Sequence, residues 1–233
     1  MENRFFNQRI KKITLALTGV FAFLLAGCEQ KPPFSFEIDE TILKEGDIVF
    51  RRGQSIASMV VLAAEKEGGY SHIGIMVKDS AGWRVIHAVP GETDKENPTE
   101  IIKKETLSQF FAPDRAVAGA IFRLDTTETI ALMAAQKAQV LFERKLLFDH
   151  DYDLKDSTKM YCTELLYFVY KFAGVDITEG RRNSFPALQN EFLLPGDILA
   201  NPKLKTVGGG VKIKKFHVNL PPCLNFSFSC KLS

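Results

Sequence analysis

The hexapeptide Tyr161-Cys162-Thr163-Glu164-Leu165-Leu166 reads as the opening turn of a helix with a single thiol at its head. Upstream, Asp156, Ser157 and Thr158 offer side-chain oxygens of the kind that cap helices. Downstream, Cys162, Leu165, Leu166, Val169 and Phe172 recur at helical spacing, and Gly174 supplies a C-terminal stop. A thiol at this place meets unpaired backbone N–H groups and the positive end of the helix dipole, which favour the thiolate. The segment alone reads more readily as a packed core cysteine, because cysteine is among the most buried residue types and Cys162 lies on the apolar stripe. A nucleophile needs a base, and the base must come from elsewhere in the chain.

Working outward, Gly46-Asp47-Ile48-Val49-Phe50-Arg51 predicts a strand and 55–66 a helix of about three turns. Tyr70 to Val77 predicts a second strand, Lys78-Asp79-Ser80-Ala81-Gly82 a turn, and Trp83 to Val89 a return strand. In such a hairpin His72 lies opposite about residues 87 to 88, which sets His72 beside His87 within a register step of one residue. Each histidine alone is more often a satisfied surface or core residue. A two-histidine metal site lacks a third ligand at a recognisable spacing, so no metal and no cofactor is expected.

Pro90 to Glu105 reads as a polar loop with solvated charges, Thr106 to Phe111 as a helical turn, and Ala116 to Leu124 as a strand buried on both faces. Thr126 to Glu143 predicts a helix capped by Thr126 or Thr127. Lys145 to Asp156 reads as an extended, alternating lead into the Cys162 helix, and Arg181, Arg182 and Asn183 as a loop. Gly196-Asp197-Ile198 repeats the Gly-Asp-Ile strand start. In the tail after Gly208-Gly209-Gly210, Cys223 and Cys230 are open to pairing in an oxidising compartment and equally to staying free.

The chain has 233 residues, 45% hydrophobic and 25% charged, with a net charge of +2. That is globular composition with no basic stripe, which argues against a nucleic-acid partner. Arg4, Arg9, Lys11 and Lys12 precede an apolar run from Ile13 to Ala26, shorter than the about 20 residues of a spanning helix. It ends Leu25-Ala26-Gly27-Cys28, which resembles the bacterial lipobox and implies export with Cys28 lipidated. Glu29 after Cys28 permits outer-membrane delivery if the cell is Gram-negative. The expected organisation is a signal peptide at 1–27, a Pro-containing tether at 28–40, a hydrolase domain at 41–207 and a tail at 208–233.

A thiol at a helix start and a histidine from a strand form the general layout of a cysteine hydrolase. The order here is histidine before cysteine. The four pieces Gly46-Asp47-Ile48-Val49-Phe50, Ser71-His72-Ile73-Gly74-Ile75, Val85-Ile86-His87-Ala88-Val89 and Tyr161-Cys162-Thr163-Glu164-Leu165 resemble the circularly permuted papain-like branch of the NlpC/P60 superfamily, the YiiX/YebB-like cysteine hydrolases. The resemblance implies an α+β fold, an antiparallel sheet packed against helices. It implies Cys162 as nucleophile, His72 as base and acid, and His87 as the polar residue that orients His72. Many permuted relatives carry Glu where His87 stands. Tyr161 or another nearby tyrosine is expected to assist the Cys162 N–H at the oxyanion, and Glu164 to serve a local capping or electrostatic role. The expected substrate is a peptidoglycan stem peptide or another acylated molecule. The alternatives are an acyltransferase or lipid hydrolase similar to lecithin:retinol acyltransferase, and an inactive lipoprotein that binds lipid or peptide.

Overall fold

The computed structural model describes residues 38–65, 69–91, 99–184 and 190–208. The expectations for the signal segment, Cys28, and the tail with Cys223 and Cys230 lie outside the described residues. Among the described residues no helix is long and apolar enough to cross a membrane.

Strand β1 (Ile48–Arg52) leads into helix α1 (Ile56–Ala64), whose start is capped by the Ser55 hydroxyl, which accepts from the Ser58 N–H at 3.1 Å. Strands β2 (His72–Asp79) and β3 (Gly82–His87) make a hairpin in which Asp79 pairs with Gly82, so the turn is only Ser80 and Ala81. β4 (Lys103–Glu105), the short α2 (Leu107–Phe110), β5 (Ala118–Leu124) and the long α3 (Glu128–Glu143) follow. Then come α4 (Cys162–Phe172), β6 (Asn183–Ser184), β7 (Glu191–Phe192), α5 (Pro195–Leu199) and β8 (Leu204–Thr206). Among the described residues six strands form one sheet in the order β4-β3-β2-β1-β5-β8, every neighbouring pair antiparallel, and β6 pairs with β7 in a second, two-stranded sheet.

Alternation along the central strands splits the core between the two faces of the sheet. Ile48 and Phe50 of β1 and Ile73, Ile75 and Val77 of β2 pack with Ala134, Ala135 and Ala138 of α3 and Leu165, Leu166 and Val169 of α4. Val49, Met76, Val85 and Ile121 pack on the other side with Leu107 and Phe110 of α2 and with Phe111. The Gly46-Asp47 pair ties these layers together. Gly46 sits at φ +83° against α3, where a Cβ would come within 2.9 Å of the Ala131 Cβ. The Tyr170 hydroxyl of α4 donates to the Gly46 carbonyl. The buried Asp47 carboxylate accepts two hydrogen bonds from Arg123 of β5, at 2.7 and 2.8 Å.

Five local expectations change. Residues 103–105, expected in a loop, form β4, because β3 offers them a ladder through His87↔Lys103 and Val85↔Glu105. Gly196-Asp197-Ile198 opens no strand: Pro195 starts α5, and the Asp197 carboxylate accepts the Leu194 N–H at 2.7 Å. The run 145–156 turns rather than extends, since the Asp149 carboxylate accepts the N–H groups of Asp151 and Asp153 at 2.9 and 2.8 Å. In β5, Phe122 and Arg123 are half-buried, so that strand is not covered on both faces throughout. Phe172, expected on the buried stripe of α4, is 56% exposed, with the Lys137 ammonium 4.4 Å from its ring centroid.

Candidate active site

α4 begins where Tyr161 leaves extended backbone (φ −94°, ψ 174°). The oxygens expected to cap it do not. Asp156 instead accepts the nearby Thr158 N–H at 2.9 Å. The helix start is held by Glu164, whose carboxyl accepts the Tyr161 N–H at 3.3 Å, the local capping role expected for it. Gly174 at φ +92° ends the helix as predicted.

Cys162 is a half-buried, free thiol at the first position of α4. β2 and β3 pair only as far as Ile75↔Ile86. Past that point the Ile73 N–H is directed at the Cys162 sulfur, joined by the Thr163 hydroxyl and the N–H groups of Thr163 and Cys162. Burial nevertheless sets the thiol above its ordinary value, against these donors. This reverses the expectation of a lowered thiol. Burial moves a pKa by up to ~3–5 units, whereas a helix terminus is worth only about 0.3–1 kcal/mol.

His72, the first residue of β2, and His87, the last of β3, meet at a 2.8 Å hydrogen bond between His72 Nε2 and His87 Nδ1. The register runs slightly past the expected one: continued from Ile75↔Ile86 it sets His87 across from Gly74, and His72 reaches it diagonally. Gly74 makes this possible, since a Cβ there would come within 2.6 Å of Val85 Cγ1 and 3.1 Å of His87 Cβ. Phe110 of α2 lies 5.5 Å from His72, stacked, and 5.1 Å from His87, edge-on. Both histidines are buried. Burial, then the Arg51 guanidinium and His87, hold the His72 imidazole well below its ordinary value.

The line continues beyond the predicted residues. His87 Nε2 lies 3.1 Å from Glu105 Oε2, and Arg115 Nη1 donates to both Glu105 oxygens at 3.0 and 3.1 Å. Burial alone would raise the Glu105 carboxyl; the hydrogen bonds and charges of His87 and Arg115 outweigh it and hold the pKa at about 2. Glu105 falls outside the sequence-predicted site because the polar run 90–105 reads as a loop. The one available signal is that it falls near the end of that polar run, two residues before Leu107 of α2.

The tyrosines divide. The Tyr161 hydroxyl accepts the Leu193 N–H at 2.8 Å, bracing the helix start against the β7 segment. Tyr152, its ring 5.0 Å from that of Tyr161, has its phenol raised by burial and then by the charges of Cys162 and Asp149. Tyr152 adopts φ +53°, a conformation bulky residues avoid, and the two Asp149 hydrogen bonds on either side of it hold that bend. Among the described residues no group of three or more His, Cys, Asp or Glu is arranged to hold a metal ion.

No curated protein matches the chain. Among solved structures it is similar to the metalloprotein yiiX from Escherichia coli O157:H7, with a TM-score of 0.56 and 21% identity over 71% of this chain and 97% of that one. That likeness speaks to the fold. The model of the permuted papain-like amidase enzymes, YaeF/YiiX, C92 family, matches residues 42–207. The α+β sheet, the histidine-before-cysteine order and this match agree: the chain belongs to the permuted papain-like amidases of the C92 family and is a cysteine hydrolase.

Proposed function

We propose that the chain is a cell-envelope cysteine amidase or peptidase in which Cys162 is the nucleophile, His72 its base and His87 the residue that orients His72. The observation that carries this reading is the convergence at the split end of the β2–β3 hairpin. A thiol at a helix start meets a strand whose first residue is a buried imidazole, itself hydrogen-bonded at Nε2 to a second imidazole. His72 Nδ1 is then the nitrogen that serves the sulfur. The raised thiol and the lowered imidazole make the resting pair neutral, so the proton moves as attack proceeds rather than beforehand.

Cys162 Sγ adds to the acyl carbonyl while His72 Nδ1 takes the thiol proton, and the carbonyl π electrons move to oxygen. The Cys162 N–H at the helix start is one donor to that oxyanion, and the Tyr152 hydroxyl is the second. The C–N bond breaks with the electrons leaving on nitrogen, which receives the proton from His72 Nδ1. Water, deprotonated by His72, then attacks the thioester; the acid leaves and the thiol is restored.

The substrate class is a stem peptide of peptidoglycan, reached by an exported chain anchored through lipidated Cys28. The test is iodoacetamide labelling at neutral pH with mass spectrometry, alongside incubation with muropeptides and with phospholipids. Cys162 is expected to label, muropeptides to be cleaved, and Cys162→Ala to lose at least about 1,000-fold of that cleavage. Full cleavage by Cys162→Ala would overturn the assignment. One observation favours a second reading, acyl transfer or lipid hydrolysis. α1, on the connection that leads into His72, exposes Ile56, Met59 and Val60 on one apolar face, suited to an acyl chain. Turnover of phospholipids but not muropeptides would select it.

A further inference from the structure

Two imidazoles in series have two proton arrangements, and only one of them makes a base. With His87 neutral, His72 Nε2–H donates to His87 Nδ1, His87 Nε2–H donates to Glu105, and His72 Nδ1 carries the lone pair. With His87 doubly protonated, its Nδ1–H donates back to His72 Nε2, and the remaining proton of His72 sits on Nδ1. The same three side chains, at 2.8 and 3.1 Å, accommodate both.

We propose that Glu105 is a positioning residue that draws the positive charge of the reacting imidazole outward from His72 to His87, making the pair a proton relay. The proposal rests on the reading of Cys162 and His72 given above. When His72 Nδ1 accepts the Cys162 proton, its Nε2 proton passes to His87 Nδ1. His72 is again neutral, now with the proton on Nδ1 where the leaving amine collects it. His87 holds the charge against the carboxylate of Glu105. When the amine departs with the Nδ1 proton, His87 Nδ1 returns its proton to His72 Nε2, and every proton is accounted for. The relay also restores a carboxylate to a site whose orienting residue is histidine.

The surroundings divide the two rings in the sense the relay needs. Arg51 of β1 is a positive neighbour of His72 and opposes a charge on that ring. His87 faces the Glu105 carboxylate, which Arg115 grips from the loop after α2 and which Lys103 of β4 approaches at 3.8 Å. The Phe110 ring of α2 lies against both imidazoles. Glu105 at about 2 remains ionised throughout the range in which an imidazole titrates.

The experiment is a titration of the histidine rings by ¹⁵N NMR, with no substrate present. In the wild type, His87 is expected to protonate first as the pH falls, with His72 still neutral. Glu105→Gln keeps an oxygen for the His87 Nε2–H and removes the charge. A carboxylate raises the pKa of an imidazole it faces, so its removal is expected to lower the His87 titration by about one pH unit. Arg115→Gln leaves the carboxylate less neutralised and is expected to move it the other way. Iodoacetamide labelling of Cys162 at neutral pH is expected to slow about tenfold in Glu105→Gln, matching one unit. First protonation at His72, or a His87 titration unmoved in both variants, would overturn the relay. Absence of Cys162 labelling in the wild type would instead sink the reading on which it rests.

Discussion

Glu164 shows how one residue carries a local role and a pH signature together. It is 3% exposed and accepts the Tyr161 N–H. Burial pushes its carboxyl up to about 9, against that hydrogen bond, and the charges of Asp149, Asp156 and Asp153 push the same way. In the unfolded chain it ionises near pH 4.3. Its contribution to stability is therefore complete below about pH 4 and declines as the pH rises through 9. Glu164→Gln keeps an acceptor for Tyr161 and cannot ionise. Urea unfolding at pH 5 and pH 9 is expected to show that the variant loses less stability between the two than the wild type, on the order of a few kcal/mol. Equal losses would mean that Glu164 is already charged in the fold. The neighbouring Tyr152 teaches a different lesson. Its left-handed backbone was not legible in Asp149-His150-Asp151-Tyr152-Asp153, because the alternating run fits an extended chain just as well. What selects the bend is the burial of Asp149, which brings its carboxylate onto two backbone N–H groups.

At the scale of the element, the hairpin is the device on which the site depends. Gly74→Ala places a Cβ 2.6 Å from Val85 Cγ1 and 3.1 Å from His87 Cβ. It is expected to cost about 1–3 kcal/mol by thermal unfolding and to spread the two imidazoles apart. Rings still hydrogen-bonded in the ¹⁵N spectrum, with unchanged stability, would show that the gap at Gly74 has no such role. The hairpin, β1, α1, α3 and α4 were legible in the sequence because their signals are local: a two-residue or helical period, a cap, a glycine stop. β4 was not, since three residues carry no period of their own and become a strand only because β3 lies beside them. That is why the meeting of His72 with His87 was legible while the place of Glu105 beside His87 was not. Gly196-Asp197-Ile198 failed for the opposite reason. A local signal was present, and Pro195 before it turned the same dipeptide into a helix start.

At the scale of the whole molecule, the proposed lipid anchor separates from the proposed chemistry. Cys28→Ser is expected to abolish incorporation of labelled palmitate and to move the protein from the membrane to the soluble fraction, while iodoacetamide labelling of Cys162 stays as in the wild type. Palmitate retained in that variant would place any acylation elsewhere. Among the described residues the sheet ends on β4 and β8, each of three residues, Lys103-Lys104-Glu105 and Leu204-Lys205-Thr206. An open rim is a row of amide donors and carbonyl acceptors on which a foreign strand can grow, and short, lysine-bearing edges discourage that growth. The strand that brings Glu105 to His87 thus also guards the protein against aggregation, and a hydrophobic change at Lys104 would threaten solubility before it touched the chemistry.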